Sequence, residues 1–499
     1  MTRVPGRLDQ AGSRTHHKGK GRSRFSIELL ILWVGMLWAL PNRGGGGITL
    51  VVGASVLGMI VLPLEYAAVA ATAPVLLPTL FGALPAWYMG TFRWLFLFAA
   101  SAILILRCIS DRTRRSGGTW SPFVAALTAF AAVAAFSAVS SVSPSLSLAK
   151  WCILICALVC AGAFGTKIVE LHGGMAARKW VRAWILCLSP VLTINILALL
   201  TGLGGETYVQ GAFRGLSGNS NSLASVLAVV LPFLVCPFIY RKRRPDARAW
   251  LLAALALGSA LVLIQSWSRA SIAAFSVGLL SVWWMHPRNR LTRYMAVAAM
   301  VALMLAVFSP YAGDRLEYWL YKGQQDTSLL TARTEQWKLG IEAFQENPIL
   351  GVGFGITSSR EEAWSLDSFE TLRVEQGSSL FAILGQTGLM GVVPFYAAVL
   401  ISLIGSTRFA RAVKDPWLTG VVSSCWTAFV NSFFEGWMAA PSSGLFWFLM
   451  FQFFFLNALR QKLRVPRRAA FRPRAEFAGA SPRFAPASGT ALVRGMRTP

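Results

Sequence analysis

Two arginines near the ends of apolar segments are the side chains best suited to bind an anion. Arg214 precedes an apolar segment that begins near residue 220, and Arg269 lies in the short polar break 266–270 between two other apolar segments. A guanidinium group presents a planar fork of N–H donors that matches phosphate oxygens, and it cannot lose its charge. Arginines at helix ends also act as anchors whose charge reaches the membrane surface. The residue types alone leave both roles open.

Carboxylates are the candidate proton acceptors near these arginines. The four histidines fall in the N-terminal tail or in loops with an excess of Lys and Arg. Glu206, Glu375 and Glu435 are the carboxylates nearest to the relevant ends of apolar segments. A salt bridge is the ordinary role of such a residue, and general-base catalysis is the alternative. No cluster of His, Cys and Asp has metal-ligand spacing there, so we predict no metal and no cofactor.

Three glycines follow Pro348 at alternate positions, Gly351, Gly353 and Gly355. Successive backbone N–H groups in a glycine-rich turn can bind an anion. A tight turn that ends the preceding helix is the other explanation of this spacing. Outside a strand–helix unit, such a short run is not a nucleotide-binding motif. From the spacing we favour the turn.

The elements that must position these residues are transmembrane helices. Of the 499 residues, 55% are hydrophobic and 14% are charged, whereas a soluble domain has about 25% charged residues. Hydrophobicity this high excludes a disordered polycation, although the formal net charge is +26. A basic groove for nucleic acid needs a soluble fold to display it, so we predict no nucleic-acid partner. The predicted fold class is an all-α polytopic membrane protein.

About 12–14 segments are long and apolar enough to be transmembrane helices, which need roughly 17–25 residues each. The fourteen candidates are 26–41, 47–63, 66–84, 91–107, 120–140, 147–165, 181–202, 220–240, 249–265, 271–285, 293–310, 379–405, 417–434 and 441–459. Twelve is the alternative if two early segments merge or one pair is re-entrant. With an even number of spans, both termini lie on one side of the membrane.

Lysines and arginines in the connecting loops predict the orientation. If the N-terminus is cytoplasmic, the cytoplasmic loops hold 19 of these residues and the short outer loops hold 5. Cytoplasmic loops carry such an excess of Lys and Arg. We therefore expect both termini to be cytoplasmic, and Arg214 and Arg269 to lie at the opposite face.

The predicted organisation has five parts. They are a basic tail (1–25), a first membrane domain (26–310), a large outer loop (311–378), a second membrane domain (379–459) and a disordered basic tail (460–499). The outer loop contains eleven acidic and six basic residues, which gives it a net charge of −5. Long loops of this kind are often functional.

Part of the outer loop is predicted to be helical. Trp337, Ile341 and Phe344 recur at helical spacing, so the segment 334–345 can pack one apolar stripe on the membrane domain. The pair Asn347-Pro348 is expected to end this helix.

Four stretches of the chain together resemble the O-antigen ligase and polymerase superfamily. They are 214–221, 266–269, 333–355 and 378–391. The most specific one leads from Arg-x-x-x-Trp at Arg333 and Trp337 to the run Asn-Pro-Ile-Leu-Gly-Val-Gly that begins at Asn347. It is similar to the helix and the turn at the start of the large periplasmic loop in that family. The resemblance covers roughly residues 210–405, and the order of the segments agrees.

The resemblance implies a GT-C-like, metal-independent membrane glycosyltransferase of the bacterial inner membrane. Such enzymes move a glycan from an undecaprenyl diphosphate carrier to a glycan or lipid-glycan acceptor at the periplasmic face. In the family, periplasmic arginines stabilise the departing diphosphate, which carries over onto Arg214 and Arg269 as catalytic residues. Membrane lipids and a chain-length regulator are further expected partners. The expected substrate-binding residues are Asn221, Arg333, Trp337, Gly351 and Gly353.

One departure from the family pattern bears on the reaction. Ligases that attach O-antigen to the lipid A core usually have a histidine at the position of Gly377. Its absence favours a polymerase of O-antigen or exopolysaccharide repeat units over a ligase, with Glu375 as the expected base or acceptor-orienting group. A secondary transporter is the alternative of another class, although the predicted spans contain almost no internal Asp or Glu.

Overall fold

The computed structural model describes residues 45–80, 93–110, 121–202, 207–209, 212–215, 217, 219–239, 247–308, 331–356 and 377–463. Within these residues the fold is all-α apart from one antiparallel ribbon, β1 (Tyr208–Val209) and β2 (Ala212–Phe213). The helices are α1 (Gly45–Val61), α2 (Leu64–Leu80), α3 (Arg93–Ser110), α4 (Pro122–Val139), α5 (Pro144–His172), α6 (Ala176–Thr201), α7 (Ser220–Val235), α8 (Ala247–Gln265), α9 (Arg269–Met285), α10 (Arg290–Phe308), α11 (Thr331–Glu346), α12 (Ser379–Val413), α13 (Pro416–Ser432) and α14 (Gly444–Leu463).

The helices follow the predicted spans closely. Each one except α11 coincides with an apolar segment that was expected to cross the membrane. Four stretches of the described chain are both long and apolar enough to do so, namely 122–139, 144–201, 220–238 and 379–413. The protein is thus an all-α membrane protein, as predicted. The first expected span, 26–41, lies outside the described residues, and the count of 12–14 stays a prediction.

The core is aromatic and centres on α14. This helix is apolar around its whole circumference and buried along most of its length, as expected for a helix surrounded by others. Its Phe448 packs edge-on to Trp184 of α6 at a centroid distance of 4.6 Å. Phe455 stacks on Trp180 at 5.7 Å. Helices α7, α12 and α13 also contact α14.

Helix α11 confirms the predicted helix in the outer loop. Trp337 lies on its packed face, with its ring centroid 5.4 Å from that of Phe381 in α12. The closest approach is made by Gly340, where a Cβ would lie 2.7 Å from the carbonyl oxygen of Phe381. The helix ends at Glu346, and the side-chain oxygen of Asn347 then accepts a hydrogen bond from the N–H of Leu350 (3.2 Å). Asn347-Pro348 therefore ends the helix as predicted.

Contacts between connecting segments fall into two groups at opposite ends of the helices. At one end, His172 contacts Glu65 at 3.0 Å, and both lie in or beside loops predicted to be cytoplasmic. At the other end, which we call the outer face, the Ser147 hydroxyl donates to the carbonyl of Phe354 (2.6 Å). The outer face carries Arg214, Arg269 and the turn 347–356. Its orientation towards the periplasm stays a prediction.

Candidate functional site

Two neighbouring helix N-termini form the centre of the outer face. Helices α7 and α9 pack against each other, and the hydroxyls of Ser225 and Ser271 lie 3.4 Å apart between them. Ser225 also donates to the carbonyl of Asn221, in the first turn of α7 (2.9 Å). Asn219 caps α7, because its side-chain oxygen accepts from the N–H of Asn221 (2.8 Å). Helix N-termini carry partial positive charge and exposed N–H donors, so two of them side by side favour an anion.

Arg269 is the first residue of α9 and therefore lies at one of these N-termini. Its side chain is half-buried. The preceding Trp267 has a φ of +54°, which is rare for a bulky residue and costs roughly 1–3 kcal/mol. The Ser268 hydroxyl donates to Ser271 Oγ (3.0 Å) and so ties the strained segment to the serine contact between the helices. Strain of this kind is typical of functional sites, where the surrounding structure holds it in place.

Arg214 lies in a turn between β2 and α7 that is fixed at both sides. Its N–H donates to the carbonyl of Thr207 (2.8 Å), and its carbonyl accepts from the N–H of Ser217 (3.0 Å). Gly215 follows with a φ of +58°, and a Cβ there would lie 1.9 Å from the side-chain oxygen of Asn195 in α6. Only glycine allows this turn to sit against α6. The half-buried Arg214 is thus placed by backbone contacts rather than by a flexible loop.

Helices α12 and α13 are joined to the same polar region. The Asn431 amide donates to Ser271 Oγ (3.2 Å), and the Trp437 ring N–H donates to the Asn431 side-chain oxygen (3.0 Å). Ser379, the first residue of α12, donates to the carbonyl of Glu435 (2.7 Å). A buried hydrogen-bonded chain therefore runs from α7 through α9 and α13, next to the start of α12. We call Ser225, Ser268, Ser271 and Asn431 the polar cluster.

The expected base cannot be placed directly. Glu375 and Glu206 lie outside the described residues, whereas Glu435 is half-buried beside the start of α12. The described chain resumes at Gly377, two residues before α12 begins. The role of Glu375 therefore stays a prediction.

The glycine-rich segment is a tight turn. The N–H of Gly351 donates to the carbonyl of Asn347 (2.9 Å), that of Val352 to Gly385 (2.9 Å) and that of Gly353 to Gln386 (3.3 Å). These N–H groups are thus directed at protein carbonyls, which supports the turn over an anion cradle. The φ values of Gly351 and Gly353, +71° and +132°, require glycine. A substrate contact from either residue stays a prediction.

The turn is paired with a break in α12. Gly388 has φ +60° and ψ −165°, which interrupts the helix. The N–H groups of Leu389 and Met390 donate instead to the carbonyls of Pro348 (2.9 Å) and Ile349 (3.3 Å). Irregular backbone at membrane depth is stable only where protein satisfies its polar groups. The break and the turn therefore form one unit.

A lysine that the sequence did not single out secures this unit. Lys150 is one of the five Lys and Arg residues assigned to the short outer loops, but it lies within α5 and is 5% exposed. Its ammonium donates to the carbonyl of Gly355, beside the bond from Ser147 to Phe354. The only sequence signal was a lysine close to an apolar segment, and polar residues at such places are often functional.

Two side chains along α12, the half-buried Trp337 and the buried Gln386, have buried polar atoms. The ring N–H of Trp337 and both amide atoms of Gln386 have no hydrogen-bond partner among the residues that the structure describes. Buried polar groups of this kind usually have partners, such as ordered water or a ligand. Arg333 lies on the same helix as Trp337, and its side chain is outside the described part.

The structure thus divides the predicted residues into two sets. Asn221 and Arg269 are joined through the polar cluster, whereas Trp337, Gly351 and Gly353 lie along α12. Among the residues that the structure describes, no group of three His, Cys, Asp or Glu side chains could hold a metal ion.

The fold and the outer face define a class: an all-α membrane protein with an arginine, Arg269, at one of two adjacent helix N-termini. Residues 254–396 match the family model described as O-antigen ligase. This match supports membership of the O-antigen ligase and polymerase superfamily and confirms the resemblance in the sequence. It includes Arg269, the turn and the break, but not Arg214 or Asn221. No curated protein matches the chain. The family implies glycan transfer of the ligase or polymerase type by a glycosyltransferase-like enzyme.

Proposed function

We propose that the protein polymerises glycan repeat units carried on undecaprenyl diphosphate, at the periplasmic face of the bacterial inner membrane. The observation that carries this proposal is the contact between the N-termini of α7 and α9, with Arg269 at the first position of α9. A lipid diphosphate is the anion that fits this place, because it is held at the membrane surface and leaves when its glycan is transferred.

The proposed mechanism is electrostatic. Arg214 and Arg269 bind the diphosphate oxygens through their N–H donors and stabilise the negative charge that develops as the glycan departs. The first turns of α7 and α9 add their partial charges to this effect. The acceptor hydroxyl attacks the sugar carbon, the bond to the diphosphate breaks, and the hydroxyl proton passes to a base. We propose Glu375 for this base, because in the sequence it lies four residues before Ser379, the first residue of α12.

The residues along α12 are proposed to bind the glycan. Trp337 presents a ring N–H with no described partner, which could donate to a sugar hydroxyl. Arg333 lies one helical turn before Trp337 and can supply a second donor. Gly351 and Gly353 are proposed to act by fixing the turn, and Asn221 by holding α7 against α9. No metal or other cofactor takes part in this proposal.

The main test compares arginine variants in cells. Arg214→Ala and Arg269→Ala should each lower polymer formation by about a hundredfold or more, the usual effect of removing one charge-stabilising donor. Arg214→Lys and Arg269→Lys should restore only part of it, because lysine lacks the planar fork. Polysaccharide would be resolved by length on gels, with protein levels measured by immunoblotting.

A matched control is available at the same predicted face. Arg93 is the first residue of α3, and Arg93→Ala removes one arginine of the predicted outer face from a helix other than α7 and α9. Normal polymer from this control and from both test variants would overturn the proposal. Equal loss in all three variants would also overturn it, because a general need for outer positive charge would then explain the result.

The glycan that accumulates on the lipid carrier in the arginine-variant cells distinguishes a polymerase from a ligase. When polymerisation fails, single repeat units accumulate on the lipid carrier. When ligation fails, long polymer accumulates on the carrier and does not reach the lipid A core. The absence of a histidine at Gly377 favours the first outcome. Accumulation of carrier-bound long polymer in the Arg269→Ala strain would identify a ligase instead.

A further inference from the structure

A groove lies at the opposite end of the molecule from the outer face. It has a volume of about 570 Å³ and runs along one side of α12 towards the C-terminal end of that helix. Volumes of this order accommodate a small-molecule ligand or part of a lipid. The glycan polymerisation proposed above does not use this end of the protein.

Two arginines line the groove, each in the last turns of its helix. Arg408 of α12 is exposed, and Arg460 of α14 is 9% exposed. Arg408 lies five residues before the end of α12, which is about 8 Å along the helix axis. Both helices run in the same direction, so both arginines lie near the same membrane surface. None of the described lining residues is acidic, so the groove favours an anion.

The position of Arg460 depends on a glycine. A Cβ on Gly405 would lie 2.3 Å from the guanidinium carbon and both of its terminal nitrogens. The guanidinium therefore lies directly across the backbone of α12, and one nitrogen is 3.5 Å from the carbonyl of Ile401. Contact with α12 therefore holds the charge of Arg460 within the groove that Arg408 also lines, so one of the two cations is positioned by the fold.

The rest of the groove is an apolar stripe that leads away from the arginines. Leu400 and Ile404 are 38% and 43% exposed, and they lie two turns and one turn before Arg408 on the same side of α12. A soluble anion would gain no binding energy from such an apolar stripe. A lipid would place an acyl chain along it and a phosphate between the arginines.

We propose that this groove binds an anionic phospholipid of the membrane leaflet opposite the outer face. The phosphate contacts Arg408 and Arg460, and one acyl chain packs on Leu400 and Ile404. This groove is separate from the proposed reaction site. If the protein does not bind the phospholipid, the proposed glycan polymerisation is unaffected.

The test measures lipid retention by the purified full-length protein in detergent, using native mass spectrometry. Dioleoyl phosphatidylglycerol should bind the wild-type protein, and Arg408→Gln should weaken this binding about tenfold, as expected for the loss of one charge-assisted contact. Gly405→Ala should have an effect of similar size, because it displaces the guanidinium of Arg460. The matched control is Arg411→Gln, which removes an equal charge from the same helix outside the groove.

Two further probes distinguish the source of the phosphate. Dioleoylglycerol has the chains without the phosphate, and glycerol 3-phosphate has the phosphate without the chains. Both should bind at least tenfold more weakly than the phospholipid. Equal retention of phosphatidylglycerol by wild type and Arg408→Gln would overturn the proposal. Equal losses of phosphatidylglycerol binding in Arg408→Gln and Arg411→Gln would overturn it as well. So would glycerol 3-phosphate binding as tight as that of phosphatidylglycerol.

Discussion

Replacing Gly351 with alanine should separate the glycine-rich turn from α12. Gly351 has a φ of +71°, and left-handed backbone costs alanine about 1–2 kcal/mol. The new Cβ would also lie 2.4 Å from the carbonyl carbon of Gln386 and 2.5 Å from the carbonyl oxygen of Gly385. These are backbone atoms, so no side-chain rotation can relieve the overlap.

The size of the effect follows from the geometry. Carbon atoms pack at about 3.5–4.0 Å, so the turn must move by about 1 Å. That movement lengthens the bonds from Val352 and Gly353 to α12, now 2.9 and 3.3 Å, beyond the range of a hydrogen bond. Each bond contributes about 0.5–1.5 kcal/mol. With the cost of the left-handed backbone, the turn is destabilised by about 2–5 kcal/mol.

Hydrogen–deuterium exchange of the purified protein measures this change locally. Because 1.4 kcal/mol corresponds to a factor of ten, amides in 347–356 should exchange at least about thirtyfold faster in Gly351→Ala. The control is Gly202→Ala, at a φ of +64° with nothing within 4 Å of a Cβ. It should accelerate exchange only near residue 202, by about five- to thirtyfold. Unchanged exchange of 347–356 in Gly351→Ala would refute the reasoning.

Three further predictions concern other parts of the molecule. In Gly215→Ala the new Cβ would overlap Asn195 and displace Arg214, so polymer formation should fall to the level of Arg214→Ala. The control Gly202→Ala should keep normal polymer formation. Equal polymer formation in the two glycine variants would contradict this prediction. Lys150→Met should lose the bond to the Gly355 carbonyl, worth about 1.5–3 kcal/mol, and limited proteolysis within 347–356 should accelerate. Burial and a nearby lysine lower the pKa of His286 from 6.5 to about 4, so the unfolded chain binds its proton first as the pH falls. The contribution of His286 to folding stability should be constant above pH 6.5 and should fall by up to about 1.4 kcal/mol per pH unit towards pH 4. Thermal denaturation at several pH values should therefore show a smaller fall in Tm over that window for His286→Gln than for the wild type.

Much of the fold could be predicted because membrane helices are set by the length of apolar segments. The helix of the outer loop was also predictable, since Trp337, Ile341 and Phe344 share a face and Asn347-Pro348 follows. Its close packing was less evident. It depends on Gly340, and a glycine inside a helix gives no sequence signal for the surface that it approaches.

The candidate site was harder to predict because its partners are distant in sequence. Ser271 and Asn431 are ordinary weakly polar residues of membrane helices, and only the fold shows that they are bonded across 160 positions. Lys150 meets Gly355 across 205 positions. The break at Gly388 lies in an apolar segment that could equally have been a continuous helix. The arginines were found because charge near a span end is rare enough to be noticed.

The pairing of the turn with the break in α12 affects how domains could be exchanged between relatives. The carbonyls of Gly385 and Gln386 and the N–H groups of Leu389 and Met390 all use partners in 347–356. If the loop of one parent does not fit α12 of another, a chimera would leave the Gly385 carbonyl and the N–H groups of Leu389 and Met390 unsatisfied, at several kcal/mol each, whereas the Gln386 carbonyl would keep the Ser137 hydroxyl as a donor. Residues 331–356 and 377–390 should therefore be transplanted together, as the smallest interchangeable piece of this face.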